Sequence, residues 1–205
     1  MNPKDILDQY NRPDKWDNLV PLYTGSRFNP LEPDPKLVTL EDIAWGLAHS
    51  YRYGGHSKPP VTVAEHCVMA SHIASMLFGR QWAAPALLHD ASEAYLSDIV
   101  ATYRHRISVR MLNGHIITWE MMEERINRTV SQACGLSLGS VDSPQVRAAD
   151  LLGLALERRD VENFSGDWGL PDLPEEVTHL TMGFHDPEVA RQMFLSRARE
   201  LDIST

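Results

Sequence analysis

Ala86-Leu87-Leu88-His89-Asp90-Ala91-Ser92-Glu93-Ala94-Tyr95-Leu96-Ser97-Asp98 is the stretch on which the reading of this chain turns. An adjacent His-Asp pair closes the apolar run Trp82-Ala83-Ala84-Pro85-Ala86-Leu87-Leu88. Read as one helix over residues 81–96, the stretch sets Glu93 four residues after His89 and three after Asp90, so all three share a face. That face carries a histidine, a carboxylate beside it and a spare carboxylate.

Outward from this stretch, two further polar groups stand in apolar surroundings. Asp150 is the only charge in Ala148-Ala149-Asp150-Leu151-Leu152-Gly153-Leu154-Ala155-Leu156, which reads as a helix buried on most sides. Projection from Val63 at about 100° per residue brings Cys67, Ala70, Ala74 and Leu77 within roughly 40° of one line. His66 falls about 60° from that line, with Glu65 and His72 near the opposite side. His66 is therefore expected to face inward, Glu65 and His72 outward. One such histidine alone reads best as a hydrogen-bonded core residue. The ordered set His66, His89, Asp90, Asp150 reads instead as ligands of one divalent cation, because unpaired charge is too costly to keep away from water.

Other metal chemistry is excluded by spacing. Cys67 and Cys134 are the only cysteines and lie far apart, which rules out a zinc ribbon or finger. No His-Glu-x-x-His is present, so the helical metalloprotease signature is missing. Two histidines with two carboxylates suit Zn, Co or Mn, with Mg and Fe as further candidates, and ligand type does not choose among them.

The whole chain of 205 residues, 43% of them hydrophobic, is long enough for one domain with a full core. No apolar stretch reaches the roughly 18 residues of a membrane span, and the N-terminus lacks a signal-peptide apolar region, so no membrane partner and a cytoplasmic location are expected. The cysteines fit a reducing compartment as core thiols. A net charge of −9 argues against long nucleic acid as a partner. A phosphate-bearing small molecule must then be met by a local positive cluster.

Residues 1–36 are rich in Pro, Asp and Asn and read as an irregular N-terminal arm, with the main domain over 37–205. Helices are expected over 40–50, capped by Thr39 with Asp42 as the acidic partner of a capping box, and over 62–78, 81–96, 113–134, 143–164 and 187–201. Residues 51–60, with Gly54-Gly55 and Pro59-Pro60, form a loop. No strand alternation is evident, and the expected fold is all-α. Met111, Trp119, Met121 and Met122 read as core or as the contact of a homo-oligomer. His115, His179 and His185 read as surface, and residues 120–125 as a solvated helix face. Trp168 either plugs a loop into the core or covers an active site, and the sequence leaves both open.

With these residues in view, the chain resembles the HD-domain metal-dependent phosphohydrolases. Thr62-Val63-Ala64-Glu65-His66, His89-Asp90 and Ala149-Asp150 carry the resemblance. Within that superfamily it is similar to bacterial 5′-deoxynucleotidases and phage dATP triphosphohydrolases, through His89-Asp90-Ala91-Ser92-Glu93, Ser97-Asp98, and the Arg52-Tyr53 pair fourteen residues before His66. The similarity runs roughly over residues 23–157, within a helical HD-domain bundle. One departure stands out: after Asp98 the family shows a proline-containing stretch ending in Lys, whereas this chain has Ile99-Val100-Ala101-Thr102-Tyr103-Arg104. Arg104 brings a bidentate fork where Lys brings a point charge.

The resemblance implies a phosphohydrolase that removes the 5′-phosphate or triphosphate of a deoxynucleotide, with a dATP- or dAMP-type purine favoured. It implies metal at His66, His89, Asp90 and Asp150, acid–base work by Glu93 with Asp98 as second candidate, and substrate contacts from Arg52, Tyr53 and Arg104. His56 is either a phosphate or base contact or a turn residue. Two alternatives stand beside this: hydrolysis of guanosine tetraphosphate or a cyclic dinucleotide, and a non-catalytic module that binds metal and nucleotide.

Overall fold

The structure is a computed structural model that describes residues 2–5, 19–111 and 114–205. The fold is mainly α. Helices α1 (Leu40–His49), α2 (Val63–Phe78), α3 (Ala83–Leu87), α4 (Glu93–Leu96), α5 (Ala101–Arg104), α6 (Trp119–Ala133), α7 (Pro144–Asp160) and α8 (Pro187–Glu200) build it. Two small antiparallel sheets depart from the expectation of no strands: β1 (Val20–Pro21) with β2 (Arg27–Phe28), and β3 (Ser108–Arg110) with β4 (Ile116–Thr118). These strands are two or three residues long, too short for alternation to rise out of the sequence. No helix among the described residues is long and apolar enough to cross a membrane.

Each long helix starts where the chain supplies an oxygen for its first free amides. Thr39, Thr62, Thr118, Ser143 and Asp186 accept from the amides of Asp42, Glu65, Met121, Val146 and Val189. Asp42 departs from the expected capping box. Its carboxylate accepts from the hydroxyls of Thr39 (2.6 Å) and Thr24 (2.9 Å) and from the Thr24 amide (2.9 Å), and so ties the β1–β2 turn to α1. Phe28 from β2 is fully buried and stacks on Tyr95 at 4.1 Å. Of the arm expected over 1–36, residues 19–36 are thus docked on the helices, while residue 1 and residues 6–18 lie outside the described residues.

Helix α2 is the axis, packed by α1, α3, α7 and α8. It is buried nearly all round, and this corrects one orientation. Glu65, expected outward, is buried and accepts the amides of Gly183 (2.6 Å), Phe184 (2.8 Å) and His185 (3.1 Å). His185, expected at the surface, sits 3.2 Å from the same carboxylate. His72 is half-buried.

The helix expected over 81–96 is broken at its most informative point. After α3 the amides of Ala91, Glu93, Ala94 and Tyr95 bond to carbonyls three residues back rather than four. This tightened path eclipses i and i+3, so Asp90 and Glu93 fall on one side without a continuous α-helix. Similarly, the helix expected from residue 113 begins at Trp119, the preceding chain forming the β3–β4 hairpin; residue 113 lies outside the described residues. The helix expected over 143–164 ends at Asp160, which frees residues 161–169 to form a loop.

Close approach explains the glycine in α1. A Cβ on Gly46 would lie 2.7 Å from the Ala94 Cα and O atoms of α4, the helix that carries Glu93. Gly46→Ala is therefore expected to destabilise the fold by roughly 1–3 kcal/mol through overpacking, despite its better helix propensity. Urea unfolding of the two proteins measures it.

Candidate metal centre and adjoining cavities

The four groups singled out in the sequence meet at one place. His66 comes from α2, His89 and Asp90 from the tight turn after α3, and Asp150 from α7. The Nε2 of His66 lies 3.0 Å from Asp150 Oδ1 and 3.8 Å from Asp90 Oδ2. His89 Nε2 lies 3.3 Å from Asp90 Oδ2 and 3.8 Å from Asp150 Oδ1. Neither Nε2 makes a well-aligned hydrogen bond, although both are buried.

The other ring nitrogens explain the orientation. His89 Nδ1 donates to the Ala86 carbonyl at 2.7 Å, and His66 Nδ1 lies 2.6 Å from Glu157 Oε1. With Nδ1 as the donor, each neutral ring turns an Nε2 lone pair toward Asp90 and Asp150, the arrangement by which a histidine is held as a metal ligand. His66, His89 and Asp150 can hold a metal ion, as can the overlapping group Cys67, His89 and Asp90. Cys67 is buried, which pushes its thiol up to about 11 and keeps it protonated.

With no cation between them, the carboxylates draw the imidazoles toward the protonated form. Burial opposes charge on His89, but neighbouring Asp90 and Asp150 outweigh it and hold the pKa well above the usual histidine range. Asp150 is desolvated, yet the two histidines drive its pKa far below that of an ordinary carboxylate. A metal bound at the two Nε2 atoms would take the place of those protons, so metal and protons compete for the same nitrogens.

Glu157 is the residue that reading the sequence missed. It is fully buried, accepts from Arg52 Nε at 3.0 Å and from the Tyr53 hydroxyl, and orients His66. Despite desolvation, Arg52 and His66 hold its carboxyl down at about 2. A signal for it exists: Asp150, Gly153 and Glu157 are spaced i, i+3, i+7 on α7, one face of the helix. At Gly153 a Cβ would come within 3.3 Å of His66 Cε1, so the glycine makes room for the ring. Glu157→Gln removes the charge that serves Arg52, Tyr53 and His66 together. It is expected to weaken divalent-metal binding by about 10- to 100-fold, the usual cost of losing the partner of a ligand histidine. Metal titration of the stripped protein reads this directly.

Two cavities adjoin the cluster and share Asp90, Glu93, Arg104 and Asp150 in their walls. The first, about 330 Å³, adds Arg52, Tyr53, Asp98, Leu154 and Trp168. The second, about 570 Å³, is lined with acid from Glu120, Glu123, Glu124 and Asp142, against Arg147. Residues 120–125, expected to be a plain solvated face, thus contribute a wall: Glu123 accepts from Trp119 Nε1 at 3.0 Å and sits 3.5 Å from Arg104 Nε.

Arg104 reaches Glu93 Oε1 at 3.1 Å, and Glu93 Oε2 is buried without a partner. Burial, with Asp90 and Asp98 nearby, raises the Glu93 pKa well above the carboxylate range. Arg52 also lies 3.5 Å from Asp90 Oδ2. Its loop is held by the Arg52 amide on the Val61 carbonyl (2.9 Å) and the Val63 amide on the Ser50 carbonyl (3.0 Å). His56 is on an exposed turn and lines neither cavity, so it is the one candidate not brought to the site. Tyr53 and Ser97, both beside the first cavity, hold φ of 60° and 68°, a region side chains other than glycine avoid.

Sequence comparison adds kinship. The chain is 33% identical over 144 residues to the uncharacterized protein YfdR of Escherichia coli K12, covering 70% of this chain and 72% of that protein. It belongs to the YfdR family. A second relative, the uncharacterized protein RCAP_rcc00048 of Rhodobacter capsulatus, is 29% identical over 188 residues, 86% of this chain and 91% of its own length. No family model matches the chain.

Proposed function

We propose that this member of the YfdR family is an HD-type metal-dependent phosphohydrolase acting on deoxynucleotides, with His66, His89, Asp90 and Asp150 holding the metal. One observation carries the reading. The buried polar atoms without a hydrogen-bond partner include His66 Nε2, His89 Nε2, Glu93 Oε2 and Arg104 Nε, all around one place. Buried orphans are costly, and a shared polar ligand relieves them. Two imidazoles with carboxylates suit Zn, Co or Mn. When bound, such a cation neutralises charge on the phosphoryl group and acidifies a nearby water.

The chain's own residues do the rest. Arg52 and Arg104 present guanidinium forks to phosphoryl oxygens as charge moves to the leaving group. Glu93, in the walls of both cavities, is the acid–base group, and its raised pKa suits a carboxyl that holds a proton to give to the leaving group. Asp98, also raised by burial, stands on the first cavity's wall as the second acid–base candidate or as a hold on a sugar hydroxyl. The size of the first cavity suits a small ligand.

The acidic second cavity favours monophosphates. A triphosphate seated with its nucleoside in the first cavity extends its remaining phosphates toward Glu120, Glu123, Glu124 and Asp142. dAMP is therefore expected to exceed dATP in rate over apparent affinity, and a tightly packed 2′ carbon makes dAMP exceed AMP.

A phosphate-release screen over deoxy- and ribonucleotides, guanosine tetraphosphate and cyclic dinucleotides, with added Mn, Co or Zn and with phosphate, pyrophosphate, triphosphate and linear dinucleotide each separated chromatographically, tests the reading. Cleavage of deoxynucleotides above all others supports it. Cleavage only of the tetraphosphate or cyclic dinucleotides, or of no compound, overturns it.

A further inference from the structure

We infer that Trp168 is the platform on which the substrate's base stacks, at the outer wall of the first cavity. The inference rests on the nucleotide reading of the site and names the residue that grips the base.

The loop after α7 is a built structure. The Glu162 amide donates to the Lys58 carbonyl (2.8 Å), the Lys58 amide to Asn163 Oδ1 (2.8 Å), and Asn163 Nδ2 to the His56 carbonyl (2.8 Å). These bonds staple it to the loop that carries Arg52 and Tyr53. Arg158 holds it from behind, Nη1 on the Phe164 carbonyl (3.1 Å), Nε and Nη2 on the Gly166 carbonyl (3.2 and 2.7 Å). Gly166 and Gly169, with φ of 83° and 64°, turn the chain on either side of Trp168, and Asp167 Oδ1 accepts the Gly169 amide at 2.8 Å.

The indole is presented, not hidden. Its Nε1 donates to the Ser165 carbonyl at 3.1 Å, its ring packs 4.8 Å from Phe164, and the Arg158 guanidinium lies 5.6 Å from its centroid. Nevertheless Trp168 remains 39% exposed and lines the cavity. The other aromatic of that wall is already engaged: Tyr53 gives its hydroxyl to Glu157 and its ring meets Phe164 edge-on at 4.6 Å. A large, fixed, partly exposed indole lining one cavity together with aliphatic Ile99, Val100 and Leu154 suits a flat aromatic ring. With phosphate at Arg52 and Arg104, that ring is the base.

Calorimetric titration with deoxyadenosine and deoxycytidine, which carry no phosphate to be cleaved, tests this on the metal-loaded protein, Trp168→Ala and Trp168→Phe. Stacking is worth a factor of about ten or more in affinity by alanine substitution and tolerates any ring. Deoxyadenosine is thus expected to bind about tenfold or more weakly to Trp168→Ala, and within about threefold of wild type to Trp168→Phe. The preference of wild type for deoxyadenosine over deoxycytidine should flatten in Trp168→Ala alone. Affinity unchanged in Trp168→Ala, equal loss in both variants, or no saturable binding to wild type overturns the inference. Because no turnover is read, a failed phosphate-release screen with a Trp168-dependent titration would sink the hydrolase reading and leave the platform standing.

Discussion

Glu93→Ala is expected to keep its metal and bind dAMP, yet turn it over about two to four orders of magnitude more slowly, the range typical of a lost acid–base group. The expectation follows from placement. Glu93 is buried, three residues beyond Asp90 on a tightened turn, in the walls of both cavities, with one oxygen on Arg104 and the other buried without a partner. It lies beside the candidate metal-holding residues and belongs to neither group able to hold an ion. Removing it leaves Arg104 without that partner, so Glu93→Gln, which retains an oxygen for Arg104, separates the two effects. If both variants are slow while binding dAMP as wild type does, the proton role stands. Single-turnover rates at saturating dAMP decide it, and a Gln variant within a few-fold of wild type would move the role to Asp98.

The clustering of His66, His89, Asp90 and Asp150 was legible in the sequence because these residues stand out chemically against apolar neighbours. His66 among alanines and valines, and Asp150 among leucines, have no local partner and must find one across the fold. Asp150 shows the limit of that argument: its carboxylate is 39% exposed because α7 opens there onto the cavities. Glu65 shows where periodicity fails. A helix packed by four others is buried on nearly every side, so no apolar stripe tells in from out, and the three amides that Glu65 caps come from residues 183–185, far along the chain. Glu157 was hidden by its neighbours, since Glu157-Arg158-Arg159-Asp160 reads as an ordinary charged helix end. Its spacing from Asp150 and Gly153 gains meaning only once His66 is known to lie opposite. The break after α3 carries no glycine, and its only nearby proline, Pro85, sits in the first turn of a helix, where proline is tolerated. Propensity therefore favoured a continuous helix that the tight turn at His89-Asp90 overrides.

The second large effect is loss of the metal itself. His66→Ala, His89→Ala, Asp90→Ala and Asp150→Ala are each expected to abolish tight metal retention, and with it phosphate release. Each histidine Nε2 lies 3.0 to 3.8 Å from a carboxylate oxygen of both Asp90 and Asp150, and each histidine is aimed by its own Nδ1 partner. Removing Asp150 takes away the oxygen nearest the His66 Nε2. Asp150→Asn is the cleanest of the series, since it preserves shape while deleting the charge that the paired imidazoles and a cation would share. Folding is followed alongside by thermal unfolding, because a variant that melts as wild type does loses metal for a local reason.

Elemental analysis of wild type and Asp150→Asn, after dialysis against a weak chelator, is the most direct measurement. The arrangement of His66, His89, Asp90 and Asp150 predicts about one divalent transition-metal ion per chain in wild type and almost none in the variant. Equal metal content in the two proteins, or none in wild type even after loading with Mn, Co or Zn, would contradict it.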